Sequence, residues 1–266
     1  MHIHFLDPYR PRVSLIHQLD PRVKLVLTIA FILTASLTPF GAWPIYVLLF
    51  AISMSVVVAS ELGVTYVLKR ASLAIPFVLA AVPLLFTVEG PALLRIPVGA
   101  TVLTLTADGL ERFISIALKS WVSVQMAIVL AASTSFPDLL IAMRAIKLPR
   151  LLVAVFGLMW RYLFVLADEV LRLIRARSAR SGEAEGRKAG GTLTWRAKVT
   201  GGMAGNLFIR SFERGDRIYA AMAARGYDGE VRALPLPPLA SSAKLALIGG
   251  LLLLACLLSI AVLVWR

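Results

Sequence analysis

Five apolar runs, each long enough to enter the hydrocarbon core of a bilayer, set this chain apart from anything that folds in water. They fall at 23–37, 43–60, 72–88, 113–133 and 243–265. A transmembrane helix needs about 20 mostly apolar residues, and somewhat fewer when flanking groups snorkel. Hydrophobic residues make up 59% of the 266 and charged residues only 16%, which excludes an ordinary soluble domain. The predicted fold class is an all-α integral membrane protein with about five transmembrane helices plus a cytoplasmic domain of long helices.

The ends of the runs give the topology. A basic leader with Arg10, Arg12, Arg22 and Lys24 precedes the first run. It is long and interrupted by proline, and further apolar runs follow, so a true span is expected here and not a cleaved signal peptide. Pro39, Gly41 and Pro44 make a tight connection to the second run, giving a hairpin. Pro76 and Pro83 inside the third run are tolerable because neighbouring helices can satisfy the freed backbone groups. Residues 89–111 read as an outer loop with a β-prone piece at 101–106.

Stretch 151–167 is also apolar but carries Arg161 near its middle. An arginine at the bilayer centre costs about 2.5–3.5 kcal/mol on insertion scales. Four crossings from a cytoplasmic N-terminus bring Arg144, Lys147 and Arg150 back inside. A further crossing would put Arg172, Arg175, Arg177, Arg180, Arg187 and Lys188 outside, against the positive-inside tendency. The stretch is therefore expected to lie against the bundle or in the interface. The expected organisation is a four-span bundle at 1–133, a cytoplasmic region at 134–242 and a final helix at 243–266. The net charge of +13 follows from basic residues lying between the apolar runs, so membrane topology explains it and no nucleic-acid partner is expected. Cys256 is the single cysteine, which excludes an internal disulfide and a cysteine-based zinc site.

Within 134–242 a short amphipathic helix is expected at 136–147, with Pro137 in its first turn and Pro149 ending it. A long helix follows at 153–180, apolar first and basic at its end. Gly182, Gly186, Gly190, Gly191, Gly201 and Gly202 make 181–202 a connector. A second long helix is expected at 206–225, capped by Asn206. At helical spacing it has one stripe of Phe208, Phe212, Tyr219 and Met222, expected to bury against the membrane domain. Another stripe holds Arg210, Arg214, Arg217, Ala221 and Ala224, where small residues and planar guanidinium forks suit a groove bearing carboxylates or carbonyls. The same residues also suit a solvated helix drawn to anionic lipid.

The segment Leu19-Asp20-Pro21-Arg22-Val23-Lys24-Leu25, the Arg161-Tyr162 pair followed by Glu169, and two Ala-Arg-small motifs on separate helices resemble the CbiQ/EcfT family. That family is the transmembrane coupling component of energy-coupling-factor transporters, and the resemblance runs over nearly the full length. The stretch from Glu213-Arg214 to Asp228-Gly229 is similar to cobalt-type members. The resemblance implies that each Ala-Arg-small helix inserts into a groove on one of two cytoplasmic P-loop ATPase subunits. Ala224-Arg225-Gly226 matches the second motif. Ala179-Arg180-Ser181 is taken as the first, with Ala176-Arg177-Ser178 the alternative register. Arg161, Glu169, Glu213 and Arg217 are supporting residues.

The chain lacks a G-x-x-x-x-G-K-[ST] loop, so it would borrow ATPase subunits and is not itself expected to be an enzyme. The expected role is a coupling subunit in a prokaryotic plasma membrane, working with a separate membrane substrate-binding subunit for cobalt, or for nickel or a vitamin. A self-sufficient channel or carrier would show mid-membrane ionisable groups or inverted repeats. A lipid-modifying enzyme would need Asp/His-rich motifs. No cofactor is expected, and His2, His4 and His17 are assigned no metal.

Overall fold

The computed structural model describes residues 8–98, 101–180, 192–229 and 238–265. Its elements form two compact units, one holding the two helices between Arg150 and Ala224 and the other holding the remaining helices. The second unit opens with the single turn α1 (Leu15–Gln18), followed by α2 (Pro21–Leu37) and α3 (Trp43–Ala59). Asp20 starts α2, its carboxylate accepting the Arg22 N–H at 2.9 Å, with Pro21 at the first position where no donor is missed. Gly41 makes the turn into α3 at φ +78°, conformational space that side chains rarely enter, while its open face lies against the Glu111 carboxylate. Each of these helices has 17 residues, about 25 Å of rise and the lower limit for a crossing.

The third apolar run begins earlier than expected and is broken. It comprises α4 (Val64–Ala71), a 3-10 turn at Ser72–Ala74, α5 (Ile75–Ala80) and α6 (Leu84–Thr87). Pro76 and Pro83 lack amide donors, so each falls at the start of a new helical piece and not inside one. The strands β1 (Ala92–Val98) and β2 (Thr101–Thr106) then pair antiparallel, with Arg95 opposite Thr104. The alternating Thr and aliphatic residues of 101–106 make that strand. The expected outer loop ends sooner than 111, because Thr106 caps α7 (Ala107–Ser133). Its hydroxyl accepts the Gly109 N–H at 3.1 Å and donates to the Val88 carbonyl at 2.8 Å.

Helix α8 spans Phe136–Ala145, where Ser135 accepts the Asp138 N–H at 3.3 Å. It stops two residues before the expected end, with Lys147 left-handed at φ +61° ahead of Pro149. Helix α8 packs on α2 and belongs to the bundle unit. The bundle closes with α11 (Ser241–Trp265), where Gly250 lets the Leu27 side chain of α2 sit 2.6 Å from the place a Cβ would occupy.

Helices α2 and α7 run antiparallel, and each one's C-terminus is closed by a lysine from the other. Lys24 Nζ donates to the Ser133 carbonyl at 3.0 Å, and Lys119 Nζ donates to the Thr38 and Ser36 carbonyls at 2.6 and 3.1 Å. Orphan carbonyls and the negative end of the helix dipole both favour a cation there. Between these clips, Phe31, Leu49, Val122, Met126 and Leu254 form the main core. Val57, Leu62, Val67, Val129 and Ala132 form a second cluster, with Ile16 packed against it. Large side chains such as Leu33, Val47, Val58, Phe77 and Leu252 face outward, as a bilayer permits.

Among the described residues four helical segments are long and apolar enough to cross a membrane: Val64–Thr87, Ala107–Ser133, Arg150–Arg180 and Ser241–Trp265. With α2 and α3, they make this an all-α, multi-pass membrane protein.

Candidate coupling helices

The other unit consists of α9 (Arg150–Arg180) and α10 (Leu193–Ala224), which at 31 and 32 residues are about 45–50 Å long. The second differs from expectation at its start. Thr192 caps it, accepting the Trp195 N–H at 3.3 Å, so the helix begins 13 residues before Asn206 and runs through Gly201, Gly202 and Gly205. Each interior glycine costs about 1 kcal/mol relative to alanine, a deficit that a long continuous ladder absorbs. Asn206 is not a cap. Its Oδ1 accepts from Arg210 Nε at 3.2 Å within the helix.

The two helices run antiparallel. Arg177 on α9 reaches Thr200 on α10 at 3.2 Å, and Glu169 meets Arg210 and Arg214 further along. Glu169 is the centre of the pair. Arg210 Nη1 donates to Oε1 at 3.2 Å, Arg214 Nη2 donates to Oε2 at 3.1 Å, and Arg172 Nη2 lies 3.6 Å from Oε2. One carboxylate thus answers three guanidiniums with its side chain only 12% exposed. Glu169 lies beyond the apolar stretch 151–167. The Arg210 hydrogen bond holds its carboxyl below the usual carboxylate range. Desolvation opposes that shift, and Arg214 and Arg172 add to it.

The inner stripe of α10 is Met203, Leu207, Ser211, Arg214, Ile218 and Met222, each partly covered. This corrects the expected arrangement. Arg214 turns inward because Glu169 offers it a partner, and within this helix pair the Phe208, Phe212 and Tyr219 rings do not pack on α9. On the apolar side of Glu169 an open apolar groove of about 330 Å3 lies along the pair, lined by Leu158, Tyr162 and Leu166 on α9 and by Ser211, Gly215 and Ile218 on α10.

The second motif forms the C-terminus of α10. Tyr227 N–H donates to the Met222 carbonyl and Gly226 N–H to the Ala223 carbonyl, both at 3.0 Å, while Gly226 sits at φ +78°. That is a Schellman cap, in which a left-handed glycine lets the last carbonyls find donors. Arg225 is the C-cap residue, exposed and without a side-chain partner among the described residues, and Ala224 is exposed beside it. In the first motif Ala179 and Arg180 are exposed on the last turn of α9, and Arg180 has no side-chain partner among the described residues, whereas Ser181 lies outside them. In the alternative register Ala176 and Ser178 are exposed, but Arg177 is engaged with Thr200. Arg161 is exposed on α9. Glu213 and Arg217 stand 4.0 Å apart as an exposed surface pair that adds little stability. His2 and His4 lie outside the described residues.

The antiparallel contacts place Arg180 and Arg225 at opposite ends of the helix pair, on the order of 40 Å apart at 1.5 Å per residue. Such an arrangement presents two isolated guanidiniums, each beside small residues, to separate acceptors.

Comparison with known proteins agrees on one group. The family model described as cobalt transport protein, CbiQ, matches residues 12–235. The cobalt transport protein CbiQ of Rhodobacter capsulatus is 30% identical, over 72% of this chain and 76% of that protein. The energy-coupling factor transporter transmembrane protein EcfT of Ruminiclostridium cellulolyticum is 28% identical over 84% of each. An uncharacterized protein of Methanocaldococcus jannaschii is 25% identical over 86% of this chain and 76% of that one. With its multi-pass bundle and paired long helices, this chain belongs to the CbiQ/EcfT family.

Proposed function

We propose that the chain is the transmembrane coupling subunit of an ATP-driven importer in a prokaryotic plasma membrane. In this reading α9 and α10 face the cytoplasm, 151–167 does not cross the bilayer, and each helix C-terminus engages one of two P-loop ATPase subunits. Motion of the ATPases passes along the Glu169-centred helix pair to a separate membrane subunit that holds the cargo. Cobalt ion is the favoured cargo, because the family model and the Rhodobacter relative both carry that description, with nickel or a vitamin as alternatives. The chain catalyses no reaction of its own.

The observation that carries the reading is the pair of exposed arginines, Arg180 and Arg225, which have no side-chain partner among the described residues and stand at opposite ends of two antiparallel helices. A guanidinium offers five donors in a rigid fork, suited to carboxylates and carbonyls in a groove. Small neighbours permit close approach. One patch serving one partner would not need two such ends.

The test is purification from native membranes in mild detergent, with every associated chain identified. The reading expects two ATPase subunits and one small membrane protein. Arg180→Glu with Arg225→Glu should abolish ATPase recovery and uptake while membrane insertion stays intact. Normal uptake by that double variant would reject the assigned roles.

A further inference from the structure

The basic leader forms a second charged site, on the bundle unit and separate from the coupling helices. Arg10 lies over the Tyr66 ring, with its guanidinium carbon 3.7 Å from the ring centroid, and Arg70 approaches the same ring at 5.0 Å. Arg12 and Lys69 extend the patch along the leader and α4. All four cations are exposed, and none has an ion-pair partner among the described residues. The one acid in the neighbouring α3 to α4 turn, Glu61, pairs with none of them.

The leader is not free to drift. Arg10 N–H donates to the Ala132 carbonyl at 2.9 Å, the His17 ring holds the Arg10 carbonyl at 3.0 Å, and Ile16 packs on the second core cluster. Two like charges are thus held around one aromatic ring with no counter-ion among the described residues. Folding keeps them together at an electrostatic cost, which an anion would relieve.

The surroundings identify the anion. Val13 and Leu15, beside Arg10 and Arg12, are 81% and 78% exposed. Leu73 and Phe77, just after Lys69 and Arg70, are 65% and 64% exposed. Basic residues bordering uncovered aliphatic and aromatic side chains match the boundary between lipid headgroups and acyl chains. A water-borne polyanion gains nothing from those apolar neighbours.

We propose that Arg10, Tyr66 and Arg70, supported by Arg12 and Lys69, bind the phosphate of an anionic phospholipid, seating the leader and α4 at the membrane surface. The shared chemistry is a phosphate group, and the lipid is its source.

Native mass spectrometry of the full chain in detergent tests this, with phosphatidylglycerol and phosphatidylcholine of identical acyl chains offered together. The wild type should retain phosphatidylglycerol selectively. Each basic residue near an anionic surface contributes about five-fold in affinity, so Arg10→Gln with Arg70→Gln should bind it about thirty-fold more weakly. Tyr66→Phe should bind as the wild type does, since the ring face remains. Should the arginine pair prove needed for folding, Arg12→Gln with Lys69→Gln must itself weaken retention by a similar factor, as neither side chain has a hydrogen bond or ion pair to lose among the described residues. Equal retention of both lipids, or unchanged retention in that second variant, would overturn the proposal. So would displacement of the lipid by soluble glycerol 1-phosphate, or preferential binding of a single-stranded oligonucleotide.

Discussion

Replacing Gly226 with alanine isolates one physical quantity at the end of α10. The residue is held at φ +78°, and a Cβ added there meets no atom within 4 Å. The cost is therefore the backbone cost of a left-handed L-residue alone, about 1–2 kcal/mol. Spread over a solvent-exposed terminal turn, this corresponds to about a five- to thirty-fold shift toward the frayed state. The Tyr227 to Met222 and Gly226 to Ala223 bonds open, and Arg225 loses its fixed position. Hydrogen exchange read by mass spectrometry over the 216–229 peptide should show that drop in protection, and ATPase recovery should fall with it. Gly226→Asn should lose less, because asparagine tolerates left-handed backbone. Gly205→Ala supplies the opposite sign in the same helix. Its site is equally open but helical, and alanine should raise protection by up to about 1 kcal/mol. Unchanged protection in Gly226→Ala, or loss in Gly205→Ala, would refute this account of the cap.

Spin labels on Ser178 and Lys198 should report one narrow distance in the wild type and a broadened one in Glu169→Gln. Acidification should broaden the wild-type distribution too. The Glu169 carboxyl is held below its usual range, so its contribution is complete above the unfolded carboxylate pKa and lost as pH falls through the folded value. The Gln variant should lack that pH response. Lys24→Met and Lys119→Met each remove a charged hydrogen bond to a helix C-terminus, and each should cost about 1.5–3 kcal/mol, read as a lower Tm in detergent. The two effects should add, since the lysines act at opposite ends of the α2–α7 pair. Gln125 is fully buried and accepts from Ser53 at 2.9 Å, with no partner for its Nε2 among the described residues. Ser53→Ala should therefore destabilise by about 1–3 kcal/mol, whereas Ser53→Ala with Gln125→Leu should recover most of it in the same melting assay.

Hydropathy alone located α7 and α11, because lipid-facing helices must be apolar whatever they pack against. The Thr-rich alternation of β2 was equally local. Proline positions announced trouble in the third run, but where the breaks fall depended on neighbours that no periodicity reveals. The glycines at 201 and 202 point to a connector, since propensity counts each residue separately while a helix propagates cooperatively from its cap at Thr192. The stripe of α10 that faces α9 escapes a local reading for a related reason. Met203, Leu207, Ser211, Arg214, Ile218 and Met222 recur at spacings of four, four, three, four and four, a signal hidden by the arginine and serine within it. Glu169 as an ionic hub, and the reciprocal lysine clips of α2 and α7, join residues 41 to 109 positions apart and lie beyond any local pattern.

The account stands or falls on which side of the membrane the helix ends emerge. With Cys256 changed to serine, single cysteines at Arg180 and Arg225 can be probed with a membrane-impermeant maleimide in intact cells and in inverted vesicles. Labelling at both positions in inverted vesicles and at neither in intact cells is the predicted result. Labelling of either position from outside intact cells would contradict the assignment of these arginines to cytoplasmic ATPases.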